Sequence, residues 1–110
     1  MEKIKVITLQ PGGQPAMAEI ENDLSSLQKF VGGYIEIVPV HESGLLAVCN
    51  EEGKMLQLPQ TCYVPYLRDM LCGPGLFCRS SEEELGPVRD RDFVQLQQWI
   101  VLPQRRGRYE

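Results

Sequence analysis

The stretch LQKFVGGYIEIVPV, residues 27–40, decides the fold of this chain. Leu27 and Val31 recur at helical spacing, two consecutive glycines follow, and an apolar, β-branched run begins at Tyr34. Because helices commonly end on a glycine in the left-handed conformation, the glycine pair predicts a helix end. The run after it predicts a strand. A helix that leads directly into a strand in this way indicates an α+β domain.

The helix is predicted to span residues 22–31. Asn22 is expected to cap its N-terminus, because a short polar side chain there accepts a hydrogen bond from a free helix N–H. Asp23 suits the positive end of the helix dipole. So short a helix is marginal alone, so its apolar face is expected to be buried on a sheet, and Leu27→Asp is expected to unfold the domain. That face consists of Leu24, Leu27, Phe30 and Val31.

Alternating or wholly apolar runs predict the strands of the first half. These are residues 4–9 as an interior strand, 34–40 with Pro39 marking an edge or strand end, and 45–49 as a buried central strand. Residues 14–21 fit either an extended, irregular segment or a second strand that returns beside the first. The sequence Asn50-Glu51-Glu52-Gly53 suits a type I turn, so residues 54–58 are predicted to return as a strand. Residues 34–58 are therefore expected to form a three-stranded antiparallel meander.

The second half gives weaker signals. Residues 68–72 fit either a strand or a helical turn, residues 76–79 fit a short strand, and residues 80–87 are typical of a polar loop. A second helix is predicted over residues 90–101, with Asp90 as its cap. Its apolar stripe consists of Phe93, Leu96, Trp99 and Ile100.

These elements together predict an α+β domain in the form of a two-layer sandwich. An antiparallel sheet of about 4–6 strands is expected, with the helix at residues 22–31 on one face and the second helix beside it. At 110 residues the chain can bury one core but not two. A single domain over residues 1–102 is predicted, followed by a flexible, basic tail over residues 103–110.

Composition and charge exclude several classes of protein. Apolar residues make up 43% and charged residues 24% of the chain, as in ordinary globular proteins. The net charge of −4 does not favour a nucleic-acid partner, since dedicated binders are usually basic. No apolar run approaches the ~20 residues of a membrane helix. The residues after Met1 predict a strand rather than a signal peptide, so no membrane association and a cytoplasmic location are expected.

The cysteines give no sign of a metal or redox site. Cys49, Cys62, Cys72 and Cys78 are separated by 13, 10 and 6 residues, whereas zinc sites usually supply close C-x₂₋₄-C pairs. Buried, reduced thiols are therefore predicted, with no metal and no cofactor. A cysteine nucleophile would need a base, and His41, the single histidine, is expected on a surface turn. A reactive Cys–His pair is retained as the basis of an alternative function, that of a small enzyme or ligand-binding protein.

A resemblance to a known family runs through the first half of the chain. It rests on Glu19-Ile20-Glu21-Asn22, Val31-Gly32-Gly33-Tyr34-Ile35-Glu36, Val38-Pro39, Ala47-Val48-Cys49-Asn50-Glu51-Glu52-Gly53-Lys54 and Leu58-Pro59. Over residues 4–60, and more loosely over residues 69–77, the chain resembles a domain-of-unknown-function family of small bacterial proteins found in phages, plasmids and conjugative elements. Gln60 stands where members often carry Asn. The resemblance implies a mobile-element setting and no known activity.

Two hypotheses of different classes follow. The first is a non-catalytic interaction or modulator domain with a protein partner, because no catalytic constellation is recognisable: the carboxylates at residues 51–52 and 82–84 are neighbours on turns that face water. The alternative is a small ligand-binding protein or enzyme that uses Cys/His chemistry. Under the first hypothesis the partner-binding candidates lie on a sheet face and on the turn after residue 49. They are Tyr34, Glu36, Asn50, Glu51, Glu52 and Lys54.

Overall fold

The computed structural model describes residues 2–82 and 84–103. Residues 104–110 of the expected basic tail lie outside the described residues, as does Glu83 in the expected polar loop. The elements, in chain order, are β1 (Lys3–Leu9), β2 (Ala16–Glu21), α1 (Leu24–Val31), β3 (Ile35–Pro39), β4 (Leu45–Asn50), β5 (Gln60–Val64), β6 (Asp69–Cys72), β7 (Gly75–Ser81), β8 (Glu84–Gly86) and α2 (Asp90–Trp99). Within these residues no helix combines the length and the apolar character needed to cross a membrane.

Six strands form one antiparallel sheet in the order β2-β1-β7-β4-β3, and β8 pairs with β7 beyond the end of β1. Strands β5 and β6 form a separate two-stranded hairpin. The predictions of an interior β1 and a central β4 are confirmed, since each has neighbours on both sides. Strand β3 is an edge, as Pro39 indicated, because proline cannot donate to a second neighbour.

Both faces of the six-stranded sheet are covered. On one face α1 inserts Leu27 and Val31 among side chains of β1, β4 and β7. On the other face Leu96 and Ile100, from α2 and the residue after it, pack with the β5–β6 hairpin and the alternate side chains of the same strands. The α+β class, with an antiparallel sheet and two helices, is confirmed. The two helices are not side by side as expected, because β4 and β7 are apolar at consecutive positions and need cover on both faces.

Helix α1 begins two residues later than predicted. Asp23, rather than Asn22, is the N-cap, and its carboxylate accepts a hydrogen bond of 2.7 Å from the N–H of Ser26. The side chain of Asn22 instead donates to the C=O of Leu85 at 3.0 Å, which ties the start of the helix to β8. Gly32 ends the helix with a φ of 82°, as the glycine pair predicted.

The predicted strand over residues 54–58 is wrong, and with it the three-stranded meander. Residues 51–57 form consecutive turns, in which the N–H of Leu56 donates to the C=O of Glu52 at 2.8 Å. The second neighbour of β4 is β7, with Ala47 opposite Phe77. Strand β4 pairs with β7 rather than with residues 54–58 because the start of β7 is wholly apolar, and such a strand is stable only in the middle of the sheet.

The other elements of the second half are close to their predicted positions. Residues 68–72 and 76–79 correspond to strands β6 and β7, whereas the expected polar loop contains β8. Helix α2 ends at Trp99, and its N-cap is Arg89 rather than Asp90. The N–H of Arg89 donates to the carboxylate of Asp92 at 2.8 Å, so the acid that stabilises the helix start lies inside its first turn.

A buried ion pair joins β7 to α2. Arg79 donates from Nε and Nη2 to the two carboxylate oxygens of Asp92, at 2.7 and 2.6 Å, and from Nη1 to the C=O of Ser43 at 2.7 Å. Asp92 is fully buried. The hydrogen bonds from Arg79 hold the pKa of Asp92 below its ordinary value despite burial, and the N–H of Arg89 adds to this. The pair therefore stabilises the fold above the ordinary pKa of aspartate, and that stability is lost as the pH falls through the lowered pKa.

Helix α1 offers a direct comparison of a buried and an exposed leucine. Leu27 is 4% exposed, whereas Leu24, expected in the same apolar face, is 57% exposed. Leu27→Ala is predicted to lower the free energy of unfolding by about 2–5 kcal/mol, because it removes packed side-chain atoms and leaves a cavity. Leu24→Ala is predicted to change it by less than about 0.5 kcal/mol. Urea unfolding followed by Trp99 fluorescence measures both, and equal losses would contradict this placement of α1.

Candidate functional site

All six sequence-predicted candidates lie where the end of α1, strands β3 and β4, and strand β6 converge. Each lines one of two adjoining depressions, and Asn50 lines both. The first, here called the polar cleft, has a volume of about 240 Å³ and contains Glu36, Glu51 and Lys54 together with Cys49, Asp69 and Cys72. The second, here called the tyrosine groove, has a volume of about 260 Å³ and contains Tyr34 and Glu52 together with Leu56.

Asn50 separates the two depressions and is itself buried. Its Nδ2 donates to the C=O of Val31 at 3.2 Å, and its Oδ1 accepts from the N–H of Glu52 at 2.7 Å. The amide thus links the last residue of α1 to the turns that follow β4. Gly33 passes so close that a Cβ there would lie 2.9 Å from Nδ2. Asn50 therefore shapes this surface by holding the backbone around it.

The polar cleft has an excess of negative charge. The ammonium of Lys54 is paired with the carboxylate of Asp69, whose hydrogen bond raises the pKa of Lys54. Glu36 and Glu51 are exposed, and neither has an ion-pair partner among the described residues. Three carboxylates thus face one ammonium that is already engaged. Such a site favours a cationic group over an anionic one.

The thiols of this region are poor nucleophiles. Burial raises the pKa of Cys49 to about 11, and the negative charges of Glu36 and Asp69 add to the effect. Burial also raises the pKa of Cys62 and of Cys78 to about 12. Since the thiolate is the reactive form, these three cysteines are protonated and slow to react at neutral pH. All four cysteines are free, and Cys72 is half-buried.

His41 lies in the turn that connects β3 to β4, at the end of the ladder away from Glu36 and Cys49, and does not line the polar cleft. Its Nδ1 accepts a hydrogen bond of 3.1 Å from the N–H of Ser43. Its ring stacks on Trp99, with the ring centroids 4.0 Å apart and the planes inclined by 12°. The imidazole is thus engaged with the turn and with α2. No group of three or more His, Cys, Asp or Glu side chains in the described parts of the chain is arranged to hold a metal ion.

Two exposed apolar residues were not predicted as candidates, namely Leu56 in the tyrosine groove and its chain neighbour Met55. Tyr34 is 67% exposed, Met55 75% and Leu56 55%. Met55 and Leu56 were placed in a strand, where one of them would have been covered. The turns over residues 51–57 leave both exposed, and Leu56 lines the tyrosine groove with Tyr34. Asp69 was missed because it comes from a distant strand, and no sequence signal connects it with Lys54.

The fold and its surface define an α+β domain with one covered antiparallel sheet, a docked hairpin and two depressions around Asn50. Residues 4–100 match the family described as a domain of unknown function, DUF3846. The protein therefore belongs to this family, and the match extends through β8 and α2, well beyond residue 60. No curated protein and no solved structure is significantly similar to the chain.

Cys49 and Cys72 provide a test of the cleft's electrostatics, since both line it. A pKa of about 11 instead of the ordinary 9.0 lowers the thiolate fraction of Cys49 roughly a hundredfold at pH 8. Iodoacetamide is therefore predicted to alkylate the buried Cys49 far more slowly in the folded protein than in urea, and more slowly than the half-buried Cys72 in the folded protein. Peptide mass spectrometry over a time course measures both rates. Rapid labelling of Cys49 in the folded chain would contradict this description.

Proposed function

We propose that this protein is a non-catalytic interaction domain that modulates a protein partner through the surface around Asn50. This surface, called the Asn50 surface below, comprises the polar cleft and the tyrosine groove. The observation that carries the proposal is the exposure of Tyr34 and Leu56, which line one groove, beside carboxylates that have no ion-pair partner among the described residues. The proposal includes no catalysed reaction, and the protein acts by binding its partner.

The arrangement of these side chains supports a protein partner. Single exposed apolar residues are common on protein surfaces, but Tyr34 and Leu56 line the same groove, and the exposed Met55 precedes Leu56 in the chain. Tyrosine and methionine are enriched in protein interfaces, and tyrosine buries a large area with little loss of side-chain freedom. The carboxylates of Glu51 and Glu52 border this apolar centre, as a polar rim does in known interfaces.

The charge of the surface supports a partner with basic groups. Glu36, Glu51 and Glu52 are all exposed here. Phosphate groups would be repelled, since nucleic acids are bound chiefly through cationic side chains. The alternative, Cys/His chemistry, has less support because the pKa of Cys49 is raised to about 11 and His41 stacks on Trp99 outside the cleft.

The proposed setting is the cytoplasm of a bacterium that carries a mobile element. Four free cysteines fit a reducing compartment, where disulfides are rare. The resemblance of residues 4–60 to small proteins of phages, plasmids and conjugative elements supports the proposal that the protein is encoded by a mobile element. A partner would then belong to the host or to the element itself.

The proposal predicts that partner capture depends on the tyrosine groove. The tagged full-length chain, the variant Tyr34→Ser/Leu56→Ser and the control Val94→Ser are used as baits in one bacterial lysate. Val94 is a suitable control because it is 67% exposed on α2, away from the Asn50 surface. Quantitative mass spectrometry is expected to show a protein retained by the wild type and by Val94→Ser, but reduced at least about tenfold by the double variant.

Circular dichroism first establishes that all three baits are folded. If the double variant retains every protein that the wild type retains, in equal amounts, the tyrosine groove is not the binding surface and the proposal fails.

A further inference from the structure

Strand β3 leaves one side of its backbone free. The N–H of Val40 donates to the C=O of Leu45 at 2.8 Å, which fixes the phase of the ladder with β4. Every second residue from Tyr34 to Val40 therefore turns its backbone groups toward β4, since antiparallel pairing alternates. The N–H and C=O groups of Ile35 and Ile37 then point away from the sheet. No other strand of the described chain pairs with this side.

The two edges of the sheet differ in charge. On β2 the acidic residues Glu19 and Glu21 lie directly opposite Lys5 and Lys3 of β1 in the ladder, and the ammonium of Lys5 also pairs with Asp90 at 2.9 Å. On β3 the acidic residue Glu36 lies opposite Cys49, which carries no charge. An edge carboxylate with no cation opposite it in the ladder thus occurs at the β3 edge and not at the β2 edge.

The two faces of β3 would select different side chains in an added strand. Glu36 lies on the face that carries the polar cleft, where Glu51 and Asp69 also contribute carboxylates. Ile35 packs on the α1 face, and Ile37 lies on the same face with 45% of its surface exposed. Side chains of an added strand alternate between the same two faces. A cation is therefore favoured next to Glu36, and apolar side chains are favoured next to Ile35 and Ile37.

We propose that the β3 edge binds an extended segment of a protein partner in which apolar residues alternate with lysine or arginine, and that the segment adds to the sheet as a further strand. This inference rests on the interaction function proposed above and names the class of partner. Backbone hydrogen bonds to Ile35 and Ile37 supply affinity, and the carboxylate of Glu36 supplies the charge preference.

A short synthetic peptide of alternating valine and lysine, blocked at both ends, is the probe. It is titrated into the ¹⁵N-labelled full-length chain and followed by NMR. The amide protons of Ile35 and Ile37 are expected to shift downfield and to exchange more slowly with solvent, because they gain acceptors. A peptide of valine and glutamate is expected not to bind. A valine–lysine peptide N-methylated at every second residue is expected to bind at least about tenfold more weakly, because it cannot complete the ladder.

Two protein variants separate a charge effect at β3 from a general charge effect. Glu36→Gln is expected to weaken binding of the valine–lysine peptide about two- to fivefold, as for a partly exposed ion pair. Glu19→Gln on β2 removes the same charge at the other edge and is expected to leave binding unchanged. Absence of binding, shifts confined to β2, or equal affinity of the N-methylated peptide would each overturn the inference. Glu36 and Pro39 would then act only to protect an exposed edge from pairing.

The peptide experiment and the lysate experiment test the two proposals independently. If Tyr34→Ser/Leu56→Ser abolishes partner capture while the valine–lysine peptide does not bind, the inference about β3 falls and the interaction function stands. If the peptide binds at Ile35 and Ile37 while partner capture is indifferent to the tyrosine groove, the β3 site stands and the groove loses its proposed role.

Discussion

The Asn50 surface depends on two hydrogen bonds made by one buried amide. Asn50 donates to the C=O of Val31, at the end of α1 where helix carbonyls lack intrahelical partners, and accepts from the N–H of Glu52. A side chain without both functions would leave at least one of these buried backbone groups unpaired, which typically costs about 1–3 kcal/mol. Nearby, a Cβ at Gly53 would lie only 2.6 Å from the C=O of Cys72. The turn after β4 is therefore clamped between α1 and β6.

The clamp explains why this region presents a surface at all. If residues 54–58 had paired with β4 as a strand, the place of β7 would have been occupied and one of Met55 and Leu56 would have been covered. Because the chain turns instead, β4 is free to pair with β7, and the hairpin of β5 and β6 docks on the other face of the sheet. The polar cleft opens between that hairpin and the β3–β4 ladder, and β3 is left at the edge.

Local sequence signals were sufficient for much of the fold. Gly32 marked the end of α1, Pro39 marked an edge strand, and the apolar run at residues 45–49 marked the centre of the sheet. The six candidate residues converge because they flank one strand pair, β3 and β4, and the turn that follows it. Their neighbourhood was therefore predictable from sequence proximity, although the burial of Asn50 was not.

The interactions that the sequence did not reveal all join distant segments. Arg79 meets Asp92 across the packing of β7 on α2, Lys54 meets Asp69 from the hairpin, and His41 stacks on Trp99. Except for the apolar Trp99, each of these residues taken alone resembles an ordinary surface residue, and no spacing in the sequence connects the partners. The prediction that Leu24 is buried with Leu27 and Val31 was wrong. Helix α1 has only eight residues, and the part of its surface that meets the sheet is narrower than its apolar stripe.

The most direct test of the clamp is the hydrogen exchange of the Glu52 amide, measured by NMR in the wild type, Asn50→Ala and Asn50→Asp. The alanine variant lacks the acceptor, whereas the aspartate variant keeps it. The account predicts that Asn50→Ala lowers the protection of Glu52 at least about tenfold, while Asn50→Asp retains most of it and the amides of β1 and β7 keep their protection in both variants. Wild-type protection of Glu52 in Asn50→Ala would show that the turn is held by other contacts, and would contradict the account.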